Sequence, residues 1–108
     1  MTVYWANSIF GEADRALNTA SVERLRSAGI SVLSPQEQSF NESGHSASAA
    51  TIFATDTAMI AACDTLVACI DQETIDCGVA CEIGIAWALK MRIIALYTDF
   101  RQHLFSIL

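Results

Sequence analysis

Two periods alternate along this chain. "VYWA" (3–6), "ISVL" (30–33), "TLVACI" (65–70) and "RIIALY" (92–97) are short, nearly unbroken apolar runs of strand length. Between them the apolar positions spread to helical spacing. In "EADRALNTASVERLRSAG" (12–29), Ala13, Leu17, Ala20, Val22, Leu25 and Ala28 recur near that period, and Gly29 supplies a stop. Residues 49–63 and 77–90 read as two further helices. "QEQSFNESGHSAS" (36–48), after Ser34-Pro35, is polar and reads as a long loop.

Strand and helix alternating throughout predict right-handed β-α-β crossovers. The expected fold is α/β: a doubly wound parallel sheet, flavodoxin-like or Rossmann-like, with helices on both faces, in a single domain over 1–108. Such sheets bind ligands outside the carboxyl ends of their strands. The segments on that rim are Ala6 to Gly11, Ser34 to Gln38, Asp71 to Gly78 and Thr98 to Arg101.

Two acids interrupt the pattern. In the third helix Val79, Ala80, Ile83, Ala86 and Trp87 form one apolar face, and Cys81, Ile85 and Ala88 make the opposite side apolar too. A helix apolar all round is expected to be buried, yet Glu82 sits in its second turn. The positions three and four away hold Gly78, Val79, Ile85 and Ala86, so no local salt bridge is available. In the second helix, Ile52, Asp56, Met59, Ile60 and Cys63 share one stripe. A buried carboxylate without a partner is costly, so two such positions in a small domain point to a site. Asp71, at the end of the third strand, lies on the same rim and is a candidate substrate contact, although strand-end aspartates commonly serve turns. Asp76, just before the third helix, suits an N-cap as well as a site.

Composition narrows the partners. The chain has 108 residues, 53% hydrophobic and 17% charged, with a net charge of −6 and no cluster of Lys or Arg. That excludes an electrostatic footprint for a nucleic-acid polymer or an anionic membrane. No apolar run approaches the roughly 18 residues of a membrane helix. The first ten residues carry no basic group ahead of their apolar stretch and lack a signal-peptide layout, so the expected address is the cytoplasm. Cys63, Cys69, Cys77 and Cys81 form no C-x-x-C pair and are expected to be reduced, packed thiols. His45 and His103 fall in loop and tail contexts, and neither EF-hand spacing nor another metal pattern is present. No metal or cofactor is expected.

"YWANSIFGEADRALN", "LSPQE" and "DQETIDCGVACEIGIAWALKMRIIALYTDFR" together resemble the nucleoside 2-deoxyribosyltransferase family, the last through its D-x-G-x-x-x-E-x-G signature. The resemblance implies a transferase exchanging the base of a 2′-deoxyribonucleoside. Glu82 then takes the place of the nucleophile, and Asp76 and Asp56 those of acids that contact the base and help protonate it. Tyr4 matches the tyrosine that orients the nucleophile, Phe10 an aromatic at the site, and Gln36 falls where a base-contacting amide is expected. Read without the family, Tyr4 and Phe10 are core aromatics and Gln36 is a turn residue after Pro35.

The implied partners are a small 2′-deoxyribonucleoside and a free nucleobase, with a homo-oligomer as the assembly. Relatives continue past "YTDFR" into a helical portion whose asparagine reaches a neighbouring subunit's site, whereas "QHLFSIL" does not resemble that continuation. The expectation is therefore a domain lacking the family's C-terminal portion. The alternatives are hydrolysis of 2′-deoxynucleoside 5′-monophosphates and a non-catalytic nucleoside-binding module.

Overall fold

The structure is a computed structural model and describes residues 1–41 and 46–100. His45, Arg101, His103 and the tail "QHLFSIL" lie outside the described residues. Four strands, β1 (Thr2–Ala6), β2 (Ser31–Leu33), β3 (Thr65–Cys69) and β4 (Arg92–Leu96), form one parallel sheet in the order β2-β1-β3-β4. Helices α1 (Glu12–Ser27), α2 (Ala49–Ala61) and α3 (Cys77–Ala88) alternate with them. This is the α/β flavodoxin-like architecture that the alternation predicts.

Register decides which side chains share a face. Val3 lies opposite Val32 and Thr65, and Tyr4 opposite Leu33 and Leu66. Because successive strand residues point to opposite faces, Val3, Trp5, Val32 and Val67 line one side, where Val22 and Leu25 of α1 cover them. Tyr4, Ala6, Leu66 and Ala68 line the other, under Ile60 of α2 and Val79 and Ala86 of α3. The sheet therefore has a core on each face, and its middle strands β1 and β3 are buried almost throughout.

The helices differ from the sequence reading in which side they bury. In α1 the fully buried positions are Asn18 and Val22, with Leu25 packed beside them, while Leu17 is exposed. Residues 18, 22 and 25 follow the i, i+4, i+7 stripe, so the face turned to the sheet carries an asparagine. In α3, Val79 and Ala86 are buried, but Ala80, Gly84 and Ala88 are exposed and Trp87 is 78% exposed. The expectation of a helix buried all round is corrected: α3 contacts the sheet and α2 along one side only, and its outer apolar face meets no described residue. Gly29, at φ +86°, stops α1 as expected, because a left-handed residue is cheap only for glycine. Short 3-10 turns at Pro35–Glu37 and Ser39–Asn41 occupy the described start of the polar 36–48 segment. Only Cys63 and Cys69 are packed thiols; Cys77 and Cys81, on α3, are exposed.

Candidate active site

From β1 the chain crosses to β2 on one side, whereas β3 adds on the other, so the strand order reverses beside the carboxyl end of β1 and opens a crevice there. A cavity of about 430 Å³ fills it. One wall is the β1–α1 loop, with Asn7, Ser8, Ile9 and Phe10. The other is built by Ile52, Phe53, Asp56 and Ile60 of α2 and by Asp76, Gly78, Cys81, Glu82 and Ile85 at the start of α3. Three of the four acids singled out in the sequence, Asp56, Asp76 and Glu82, thus share one wall. No Lys or Arg lines the cavity among the described residues.

Glu82 sits where α3 turns from the sheet toward the cavity, and the Tyr4 hydroxyl rises from β1 to donate to its Oε2. Tyr4 is wholly buried. Burial pushes the Glu82 carboxyl up to about 7; the Tyr4 hydrogen bond pulls it down, and repulsion from Asp56 and Asp76 adds to the rise. Tyr4 is itself held far above its ordinary value, by burial first and then by the Glu82 charge, so it remains a donor at any working pH. Asp56 is raised by desolvation, and its Oδ1 is buried with no hydrogen-bond partner among the described residues. This carboxyl is costly to ionise where it stands.

Asp76 does two things at once. Its Oδ2 accepts from the Val79 backbone N–H at 3.1 Å, which caps α3, and the residue lines the cavity. Gly78 is the glycine of the D-x-G pattern, and a Cβ there would lie 3.0 Å from Asp76 Oδ2. The glycine leaves room for the capping carboxylate. Phe10 stands at the cavity mouth, 82% exposed.

Two expected contacts are not brought to this cavity. Gln36 turns toward α1, where its Oε1 accepts from Asn18 and its Nε2 donates to the Arg15 carbonyl and to Thr19 Oγ1. Asp71 lies two residues past the end of β3 and ties that end to the next strand's exit, accepting from the Thr98 N–H and hydroxyl and from the Asp99 N–H. Burial would raise the Asp71 carboxyl, but these Thr98 and Asp99 donors hold it below the usual range. Both side chains have structural duties that occupy their polar atoms.

Sequence reading missed Asn7, Asn18 and Gln72, which are linked by hydrogen bonds beneath the β1–α1 loop. A signal existed: Asn18 interrupts the stripe that Val22 and Leu25 continue, the same anomaly that exposed Asp56 and Glu82. Among the described residues no group of three or more His, Cys, Asp or Glu is placed to hold a metal ion, and no helix is long and apolar enough to cross a membrane.

A parallel α/β sheet with a desolvated, tyrosine-bound glutamate over its switch point defines a class of small-molecule site in which a carboxylate faces a cavity of ligand size. The family model for nucleoside 2-deoxyribosyltransferase matches residues 3–107, and the chain belongs to that family. Among solved structures, a conserved protein from Enterococcus faecalis V583 is 39% identical with a TM-score of 0.85, over 94% of this chain and 66% of that one. A 2-desoxiribosyltransferase from Leishmania mexicana is 25% identical with a TM-score of 0.74, over 91% and 65%. A CMP N-glycosidase from Clostridium botulinum, 21% identical with a TM-score of 0.71 over 99% and 77%, shares the fold. The chain thus spans just under two thirds of the length of the first two. No curated protein matches it.

Proposed function

We propose that this protein exchanges the nucleobase of a 2′-deoxyribonucleoside through a deoxyribosyl ester on Glu82. The observation that carries the reading is the Glu82 carboxylate on the cavity wall, oriented by Tyr4 and desolvated until its pKa is near neutral. Tyr4 occupies Oε2 and leaves Oε1 to attack C1′. As the C1′–O bond forms, the glycosidic C1′–N bond breaks and its electron pair leaves with the base. A proton reaches the departing base from Asp76 or Asp56, the latter kept protonated to higher pH by its burial. A second base then attacks C1′, giving its N–H proton to the carboxylate that served as acid, and the C1′–O bond breaks to free Glu82, so two inversions retain the anomeric configuration.

The lining favours a neutral substrate. It offers three carboxylates and no cation among the described residues, whereas a phosphate calls for Arg, Lys or a cluster of backbone amides. Nucleosides are therefore preferred to nucleotides, and Phe10 and Phe53 at the mouth supply faces for a base to stack on.

We also infer self-association. The outer face of α3 presents Ala80, Gly84 and Ala88 beside Trp87 and carries no charge, which suits a second copy of the same flat face in an isologous contact. Trp87→Glu should lower the sedimentation coefficient to that of a monomer. Four free thiols favour the reducing cytoplasm.

The decisive experiment incubates thymidine or deoxyinosine with adenine and the protein, beside Glu82→Ala, and resolves products by chromatography. Deoxyadenosine formed only by the unsubstituted chain supports transfer and the role of Glu82. Free base and deoxyribose without a new nucleoside would replace transfer with hydrolysis. Nucleoside binding by calorimetry with no turnover would reduce the protein to a binding module.

A further inference from the structure

Across the cavity from the carboxylates lies a chain of amides that the exchange chemistry does not use. Asn18, on the sheet-facing stripe of α1, is 1% exposed and fills all four of its hydrogen-bonding positions. Its Oδ1 accepts from Trp5 Nε1 and Asn7 Nδ2, each at 2.9 Å. Its Nδ2 donates to the Ser8 carbonyl at 3.0 Å and to Gln36 Oε1 at 2.9 Å. Beyond Asn7, Gln72 Nε2 donates to Asn7 Oδ1 at 2.9 Å.

The direction of the whole chain is fixed by groups that cannot change role. An indole N–H only donates and a backbone carbonyl only accepts. Trp5 therefore forces Asn18 Oδ1 to be the acceptor, and the Ser8 and Arg15 carbonyls hold Asn18 Nδ2 and Gln36 Nε2 as donors. Asn7 is then oriented by Asn18, and Gln72 by Asn7. The network runs from α1, through the β1–α1 loop, to the segment that follows β3, and it ends in one buried acceptor, Gln72 Oε1, with no partner among the described residues.

We propose that Asn18 is a positioning residue for the cavity wall: through Ser8 and Asn7 it holds the β1–α1 loop, with Ile9 and Phe10, at the distance from α2 and α3 that fits the substrate. Asn18 touches neither Tyr4 nor Glu82, so its loss alters the fit of the ligand and spares the reacting carboxylate. A fully satisfied buried network rigidifies what it binds, and Asn18 is its only member that reaches the core, the loop and Gln36 together. This assignment rests on the exchange reading for its kinetic test but not for its structural one.

Asn18→Asp keeps the shape and the acceptor toward Trp5 and Asn7, but sets a carboxylate oxygen against the Ser8 carbonyl. In the folded variant, KM for the nucleoside should rise about tenfold with kcat within roughly twofold, as loss of positioning without loss of chemistry requires. Lowering the pH protonates the introduced carboxylate and restores a donor toward Ser8, which should narrow the KM ratio to the unsubstituted chain measured at the same pH. In parallel, backbone amide resonances of Ser8, Ile9 and Phe10 should shift and the Trp5 indole N–H should lose exchange protection. Unchanged KM and unmoved loop resonances overturn the proposal, as does a collapse of kcat at constant KM. If the unsubstituted chain exchanges no base, the functional reading fails while the loop resonances still decide the role of Asn18. Should Asn18→Asp not fold, Gln72→Met removes the terminal donor together with its unpaired oxygen: shifts confined to Asn7 through Phe10 support the network, and none refutes it.

Discussion

The two walls of the cavity treat buried polar groups in opposite ways. On the side of α2 and α3, acids are desolvated and short of partners: among the described residues Glu82 has one donor, and Asp56 Oδ1 has none. On the side of α1 and the β1–α1 loop, Asn18 has every hydrogen-bonding position filled. Unpaired buried carboxylates cost stability, whereas satisfied amides rigidify. On the proposed reading the first wall holds reactivity and the second holds shape, so substitutions on the two should move activity and stability in different directions.

The largest effect separates those directions at one residue. Glu82→Ala should lower base exchange at least about a thousandfold, because it removes the proposed nucleophile, the one carboxylate that Tyr4 orients. Glu82→Gln should be as inactive, yet more stable at neutral pH. The folded carboxyl stands at about 7 against 4.5 for the unperturbed group, so the native state binds the proton more tightly. The stabilisation from the protonated form is complete below about pH 4.5 and is lost as pH rises through about 7. An amide does not ionise and keeps the Tyr4 hydrogen bond, so Glu82→Gln should gain up to roughly 3 kcal/mol over the unsubstituted chain above that range. Denaturant melts at pH 4 and 8 measure it; equal differences at both pH values would mean that the acid wall carries no strain.

On the opposite wall the sign reverses. Asn18→Leu removes the partner of the Trp5 indole N–H, of one Asn7 N–H, of the Ser8 carbonyl and of Gln36 Oε1, and should cost about 1–3 kcal/mol at every pH from 5 to 8. A cost that varied with pH over that range would tie Asn18 to a titrating group and erase the distinction between the walls.

Tyr4→Phe tests how the reactive wall is tuned. The Tyr4 hydroxyl lowers the Glu82 pKa, so its removal should carry the acid limb of the exchange rate upward by about one pH unit. The pH profile of kcat/KM reads this directly, and an unmoved limb would detach Glu82 from Tyr4.

Much of the first wall was legible because its chemistry contradicts its pattern. Asp56 and Glu82 are charges on apolar stripes, visible without any structure, and the strand-end rule placed Asp76 on the rim; Tyr4 came from the family resemblance alone, because its residues read as a core strand. The second wall was hidden for the opposite reason. An asparagine on a helix is ordinary, and the weak apolar spacing of α1 drew the reading to Ala13, Leu17 and Ala20 instead of the stripe through Asn18. Gln36 and Asp71 were correctly seen at strand ends, but sequence cannot say which way an amide or carboxylate turns once nearby backbone groups compete for it. The outer face of α3 misled because an apolar helix looks the same whether its own chain or another molecule covers it.

The smallest expected effect lies where the second wall meets solvent. Arg26, near the end of α1, pairs with Glu37 through two hydrogen bonds of 2.8 Å and donates to the Val32 carbonyl. That fork pins the turn carrying Gln36 against α1. Both side chains are about half exposed, and exposed ion pairs are worth little because water screens them and their side chains lose freedom. The Arg26 hydrogen bond holds the Glu37 carboxyl below its ordinary value against the opposing effect of burial, so any contribution is present above the unperturbed carboxylate range and fades as pH falls through the lowered one. Glu37→Gln should therefore cost no more than about 0.5 kcal/mol at pH 7 in low salt, and less at high salt. A loss comparable to that of Asn18→Leu would show that the wall is held from its rim rather than from the buried asparagine, and would move the positioning role outward along the same chain of amides.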